Sequence, residues 1–228
     1  MQKRLFYKNP LLIIYVPGYL SGEDNQKEVK KKIYKLYNID PEDPSSPDVV
    51  IFKWDSVASY AGALHNSVQA ADDLVQYLKE LPCGNHITII GHSLGALVVS
   101  KAMKKIPFNS YYGARQVILL GAAMDAHANL KHMCDVTMYP VINVVNPEDT
   151  ILNTLYKTFN DDVALGSHGS YCKHNRNYVE FKLLDREPKQ ARVDSFKRLA
   201  NKLLDVTGHS ASRVYLDALV NKEYKINR

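Results

Sequence analysis

The strongest constraint on how this chain can fold is the stretch from His86 to Val99, where a strand, a sharp corner and a helix meet end to end. Ile87, Thr88, Ile89 and Ile90 are strand formers, because branched side chains pack well on a pleated surface. Gly91-His92-Ser93-Leu94-Gly95 follows, with the pattern G-x-S-x-G. Ala96-Leu97-Val98-Val99 then opens an apolar helix that Lys101, Lys104 and Lys105 favour at its C-terminal end. A turn this abrupt strains its central residue and lifts the side chain above the sheet edge. A Cβ on either flanking position would meet neighbouring backbone, so glycine is favoured at both. Ser93 is therefore the candidate nucleophile. The N–H of Leu94 stands at a helix N-terminus, where negative charge is stabilised.

Leu11-Leu12-Ile13-Ile14-Tyr15-Val16 is an unbroken apolar run, the pattern of a parallel strand covered on both faces. Pro17-Gly18-Tyr19-Leu20-Ser21-Gly22 ends it. In enzymes with such a corner, the loop after this strand supplies the second oxyanion N–H. Tyr19 is the nominee, with Gly18 allowing close approach. Residues 23–37 carry Val29, Ile33, Leu36 and Tyr37 at helical spacing. Val49 to Trp54 reads as a strand. Residues 59–81 read as a helix, capped by Ser56 or Ser59 and stopped at Pro82-Cys83-Gly84. Further strands are expected at 116–121, 141–145 and 178–184. Residues 126–138 show no clear period, 150–159 suggest a short helix, and 164–177 read as a loop. A basic amphipathic helix is expected at 191–206 and a last helix at 211–221. Strands alternating with helices imply an α/β fold: one domain over 1–228, with a mostly parallel sheet of about six strands and helices on both faces.

Of the 228 residues, 46% are hydrophobic, enough for a sizeable core, and the formal net charge is +5. The positive charge is dispersed. Its one local run, Lys27 and Lys30 to Lys32, reads as a solvated helix face rather than a nucleic-acid patch. Cys83, Cys134 and Cys172 are odd in number and lack metal-ligand spacing, so reduced thiols and a cytoplasmic location are expected. The start of the chain reads as a strand rather than a signal peptide, and no run reaches the length of a membrane span. With no Walker motif, Rossmann glycine fingerprint or metal spacing, neither a cofactor nor a metal is implied.

Four pieces together resemble the α/β-hydrolase superfamily, over most of the chain from Leu11 to about Leu219. They are Val16-Pro17-Gly18-Tyr19, the Gly91–Gly95 corner, Asn146-Pro147-Glu148-Asp149-Thr150 and Gly208-His209-Ser210. Their order is Ser, acid, His, as in that superfamily. The likeness is greatest to its lipase- or esterase-like branch, where G-H-S-L-G is common. The first two strands of the fuller fold are expected to be missing ahead of Leu11.

The resemblance implies a serine hydrolase cleaving a carboxylic ester. Ser93 attacks the carbonyl, His209 takes and returns the proton, Asp149 orients His209, and the N–H groups of Tyr19 and Leu94 hold the oxyanion. Asp149 also reads as an N-cap for 150–159. Asp125 is the alternative acid. His168, in Leu165-Gly166-Ser167-His168-Gly169, is the alternative base. Residues 185–207 separate His209 from the last strand and read as an ordinary packed helix or as a lid over the site. The implied partner is a small-molecule or lipid-like ester, with no nucleic acid. Membrane-surface contact through the basic helix is the less favoured reading, and the sequence sets no oligomeric state. Two other functions fit the same fold: a non-catalytic binding protein, and a thioesterase or amidase using the same triad.

Overall fold

Each unbroken apolar run becomes a strand of one sheet, and helices on both faces account for the absence of alternation. The computed structural model describes residues 10–19, 21, 23–56, 59–82, 86–172, 177–183, 209–222 and 224–227. The strands are β1 (Leu12–Val16), β2 (Asp48–Ile51), β3 (Ile87–His92), β4 (Gln116–Leu120), β5 (Val141–Val145), β6 (Tyr178–Leu183) and β7 (Tyr224–Asn227). Their order is β2-β1-β3-β4-β5-β6-β7. All neighbours run parallel except β7, which is antiparallel to β6. The strand that leads into Ser93 is therefore interior. It pairs with β1 through Val16↔Gly91 and with β4 through His92↔Leu120.

Successive residues of a strand point to opposite faces. Ile14, Val16, Ile89, Val117 and Leu119 meet Leu74 and Leu78 of α2 (Tyr60–Glu80) and Val98 and Met103 of α3 (Leu94–Lys105). Ile13, Tyr15, Ile90, Ile118 and Leu120 meet Val29 and Ile33 of α1 (Glu23–Tyr37). A helix late in the chain, His209–Asn221, covers the same face through Tyr215, Leu216 and Leu219.

Between β4 and β5 lies α4 (Lys131–Val136), anchored by buried Leu130, Met133 and Cys134. After β5 come a π-helical turn (Leu152–Tyr156), α5 (Lys157–Asn160) and α6 (Leu165–His168). The His209–Asn221 helix is thus α7. The α2 N-cap is Ser59, whose Oγ accepts from Gly62 N–H at 3.2 Å.

The α/β class and the mostly parallel sheet agree with the sequence. The seventh strand was not expected. β7 has only four residues, too few to show a period, and it is set by tertiary pairing. Ile226 lies opposite Phe181, and the Tyr224 ring stacks on Phe181 at 4.2 Å. α6, a single turn, is indistinguishable from loop in the sequence for the same reason. The expected helix at 191–206, the lid reading of 185–207 and Cys83 lie outside the described residues. Among the described residues, no helix is long and apolar enough to cross a membrane.

Candidate active site

Ser93 has φ 52° and ψ −123°, a conformation that side-chain-bearing residues rarely adopt. Backbone contacts enforce it. Ser93 N–H donates to Leu120 O at 3.0 Å, and Ser93 O accepts from Ala96 and Ala123 N–H at 3.0 and 3.1 Å. The hydroxyl does not cap α3. A Cβ on Gly95 would lie 2.1 Å from Val16 O, and one on Gly18 would lie 2.7 Å from Ser93 Cβ. The loop carrying Gly18 and Tyr19 thus packs directly on the serine. Trp54 Nε1 fastens that loop by donating to Pro17 O at 2.9 Å. Leu94 is fully buried as the first residue of α3.

Strain at such a position is worth about 1–3 kcal/mol, against up to about 1 kcal/mol of chain entropy lost by glycine relative to alanine. Ser93→Gly is therefore expected to melt about 2–4 °C above Ser93→Ala, measured by thermal unfolding. A lower midpoint for the glycine variant would contradict the strain.

Asp149 is 9% exposed and lies past the end of β5. Its Oδ1 accepts from Ile151 and Leu152 N–H at 3.1 and 3.0 Å. This is the capping role expected from local sequence. Its Oδ2 accepts from Tyr215 O–H at 2.6 Å. Burial, followed by the Asp149 charge, pushes the Tyr215 hydroxyl well above its ordinary range, so it stays protonated and donates. The Tyr215 ring also lies against Gly121, where a Cβ would come within 2.5 Å of it and φ is +50°. Sequence reasoning passed over Tyr215 because an aromatic on an apolar helix stripe reads as core.

His209 is the first residue of α7, six positions before Tyr215, or about 9 Å along the helix axis. Its side chain lies outside the described residues. His168, at the end of α6, is exposed, with Nδ1 2.8 Å from Ser167 Oγ. Asp125 follows β4, and its Oδ1 accepts from His127 N–H at 2.7 Å within a turn. His92 is buried, 6.2 Å from the Tyr215 ring centroid, and burial pushes its imidazole down to about 4. It is neutral near pH 7 and adds no charge beside Ser93. Burial, then Asp135, pushes the Cys134 thiol up to about 12, which leaves no thiolate there. Among the described residues no group of three or more His, Cys, Asp or Glu is placed to hold a metal.

An apolar wall adjoins the serine. Leu94, Ala123, Leu152, Ala164 and Tyr156 form one cluster with Tyr19 and Tyr60 packed against it. Tyr19 meets Tyr60 edge-on at 6.0 Å, and Tyr60 stacks on Phe159 at 4.8 Å. The wall joins the loop of Gly18 and Tyr19, α2 and α5, three segments distant in sequence, so no local pattern announces it.

A family model described as "Protein of unknown function (DUF726)" matches residues 55–175, which include the corner, Asp149 and α6. No curated protein matches the chain in sequence. Among solved structures, the product of the gene lin2722 from Listeria innocua is 14% identical, with 75% of this chain and 83% of that one covered at a TM-score of 0.46. A lipase-esterase related protein from Clostridium acetobutylicum is 12% identical, with 88% and 96% covered at 0.44. A cutinase-like protein from Cryptococcus sp. is 13% identical, with 75% and 74% covered at 0.41. The sheet order, with a strained serine between an interior strand and a helix, makes the fold α/β-hydrolase-like.

Proposed function

The chain belongs to the DUF726 family, and we propose that it is a serine hydrolase cleaving a carboxylic ester through an acyl-enzyme on Ser93. The observation that carries this reading is the strained backbone of Ser93, with Gly18 and the N-terminus of α3 beside it. Such strain persists only where the surroundings over-determine it, and it concentrates at functional sites.

In this reading Ser93 Oγ attacks the ester carbonyl and passes its proton to His209. The negative charge that develops on the carbonyl oxygen is held by the N–H groups of Leu94 and Tyr19. Collapse of the intermediate expels the alcohol, which takes the proton from His209, and water then cleaves the acyl-enzyme by the reverse sequence. Asp149 orients the imidazole and stabilises its cation. Two features support that pairing: Asp149 is held from three sides, and the helix that begins at His209 also carries Tyr215 to it. The wall of Leu94, Ala123, Tyr60 and Tyr156 suits an apolar acyl group.

A fluorophosphonate probe tests the reading, since it phosphonylates only an activated serine. It is expected to label the peptide containing Ser93. His209→Ala should slow labelling about 100-fold, the usual scale of a general base, and His168→Ala should leave it within about threefold. The opposite ranking would move the base to His168. No labelling of the folded protein would favour a binding protein that kept the fold.

A further inference from the structure

A cavity of about 360 Å³ opens beside the Asp149 loop, where α5, α6 and β6 converge. Lys157 comes from α5, His168 from α6 and Lys182 from β6, so residues far apart in sequence bring three basic side chains to one concave surface. Among the described residues no carboxylate lines it, and none of the described ion pairs uses either lysine. The carboxylate two residues before Lys182, Glu180, is engaged elsewhere. Its Oε1 accepts from Ser170 N–H at 2.6 Å and from Tyr178 O–H at 2.8 Å. Asn153 also lines the cavity. Its Nδ2 donates to Pro147 O at 2.8 Å, while its Oδ1 is buried without a hydrogen-bond partner. Both lysines are exposed and have no carboxylate partner among the described residues, so an anion entering the cavity meets both ammonium groups. The cavity adjoins the apolar wall already described. Leu152 and Ala164 belong both to its lining and to the apolar wall beside Ser93.

We propose that this cavity binds an oxyanionic group, phosphate or carboxylate, carried by the ester substrate. The proposal rests on Ser93 being the nucleophile and adds the chemical class of what is cleaved. The ester has an apolar acyl part for the aromatic wall and an acidic part for Lys157 and Lys182. The volume fits a small polar head.

Two measurements test it on the full chain. In the first, inorganic phosphate replaces chloride at constant ionic strength, so general screening is held fixed. The amide signals of Asn153, Lys157, His168 and Lys182 are followed by NMR in wild type and in Ser93→Ala. Saturable shifts are expected in both, weakened about tenfold in Lys157→Gln/Lys182→Gln, roughly the sum of two exposed charge contacts. A parallel titration with acetate separates carboxylate from phosphate as the preferred group. In the second, kcat/KM is compared for two butyrate esters whose alcohols differ only in a terminal phosphate or hydroxyl. The phosphate-bearing ester is expected to be favoured about tenfold, and the double glutamine variant to lose that preference without losing activity on the neutral ester. Lys157→Arg/Lys182→Arg should keep it.

The absence of any saturable shift with either anion overturns the site. Binding of phosphate with equal kcat/KM for the two esters overturns its assignment to the substrate. Saturable, lysine-dependent binding in a protein that turns over neither ester would leave the anion site standing and remove the hydrolase reading instead.

Discussion

Ser93→Ala is expected to lower ester turnover by a factor of about 10⁴ or more while moving the melting temperature by no more than about 2 °C. The two halves of this result come from different atoms. Alanine keeps the Cβ, so it keeps both the contact with Gly18 and the strained φ of 52°. It removes only Oγ, which caps no helix, so the fold loses nothing it uses. The chemistry loses its nucleophile and with it the acyl-enzyme. On the proposed mechanism, what remains is substrate binding and the N–H groups of Leu94 and Tyr19 assigned to the oxyanion, which in serine hydrolases leave a residual acceleration of roughly 10³ over water. Initial rates on p-nitrophenyl butyrate, with a thermal melt of the same preparation, check both halves. A loss of less than about tenfold in a protein that melts normally would remove Ser93 from the reaction. Fluorophosphonate labelling that survived the substitution would do the same.

The sequence shows the corner plainly because its determinants are local. A β-branched run, two glycines and an apolar helix start lie within a single stretch, and each is read from its neighbours. The strands are legible for a related reason. Burial on both faces writes itself as unbroken hydrophobicity in β1, and as a β-branched run from Ile87 to Ile90 in β3. The capping of Ile151 and Leu152 by Asp149 is likewise a contact across two and three residues. The Tyr215 hydroxyl reaches the same carboxylate across 66 residues, and nothing near either residue marks it. Tyr215 is fully buried and packs as core. Only three-dimensional proximity reveals that its hydroxyl holds a carboxylate. The apolar wall and the cationic cavity were missed in the same way. Each is assembled from single residues on several elements, and a lone Lys182 or Phe159 in sequence is indistinguishable from ordinary surface. β7 and α6 escaped because a four-residue element is shorter than the window in which a period can be counted.

Gly95→Ala should have the largest effect on folding, and the reason also bears on catalysis. A Cβ at this position would lie 2.1 Å from Val16 O, 2.5 Å from Pro17 O and 2.7 Å from Val16 C. All three atoms are backbone at the end of β1, an interior strand paired on both sides. No side chain can swing away, so either α3 backs off from the sheet by about 1 Å or β1 loses its register. Relief of that kind in a close-packed interior costs more than ordinary overpacking, about 4 kcal/mol or more. That is a large share of the roughly 5–15 kcal/mol that holds a typical domain together. The variant is expected to be recovered mainly as insoluble protein, or to melt more than about 10 °C below wild type. Gly18→Ala makes the informative comparison. Its Cβ would meet Ser93 Cβ at 2.7 Å, His92 O at 3.1 Å and His92 Nδ1 at 3.2 Å, less severe than the 2.1 Å approach at Gly95 but directed at the serine itself. Its destabilisation should be smaller than that of Gly95→Ala, and turnover should fall as well, because the clash displaces Tyr19 or Ser93. A Gly95→Ala protein that is soluble and melts within about 2 °C of wild type would mean that α3 does not sit this close to β1. The N–H of Leu94, at the start of that helix, would then lack the close approach to the Gly18 loop on which a shared oxyanion site depends.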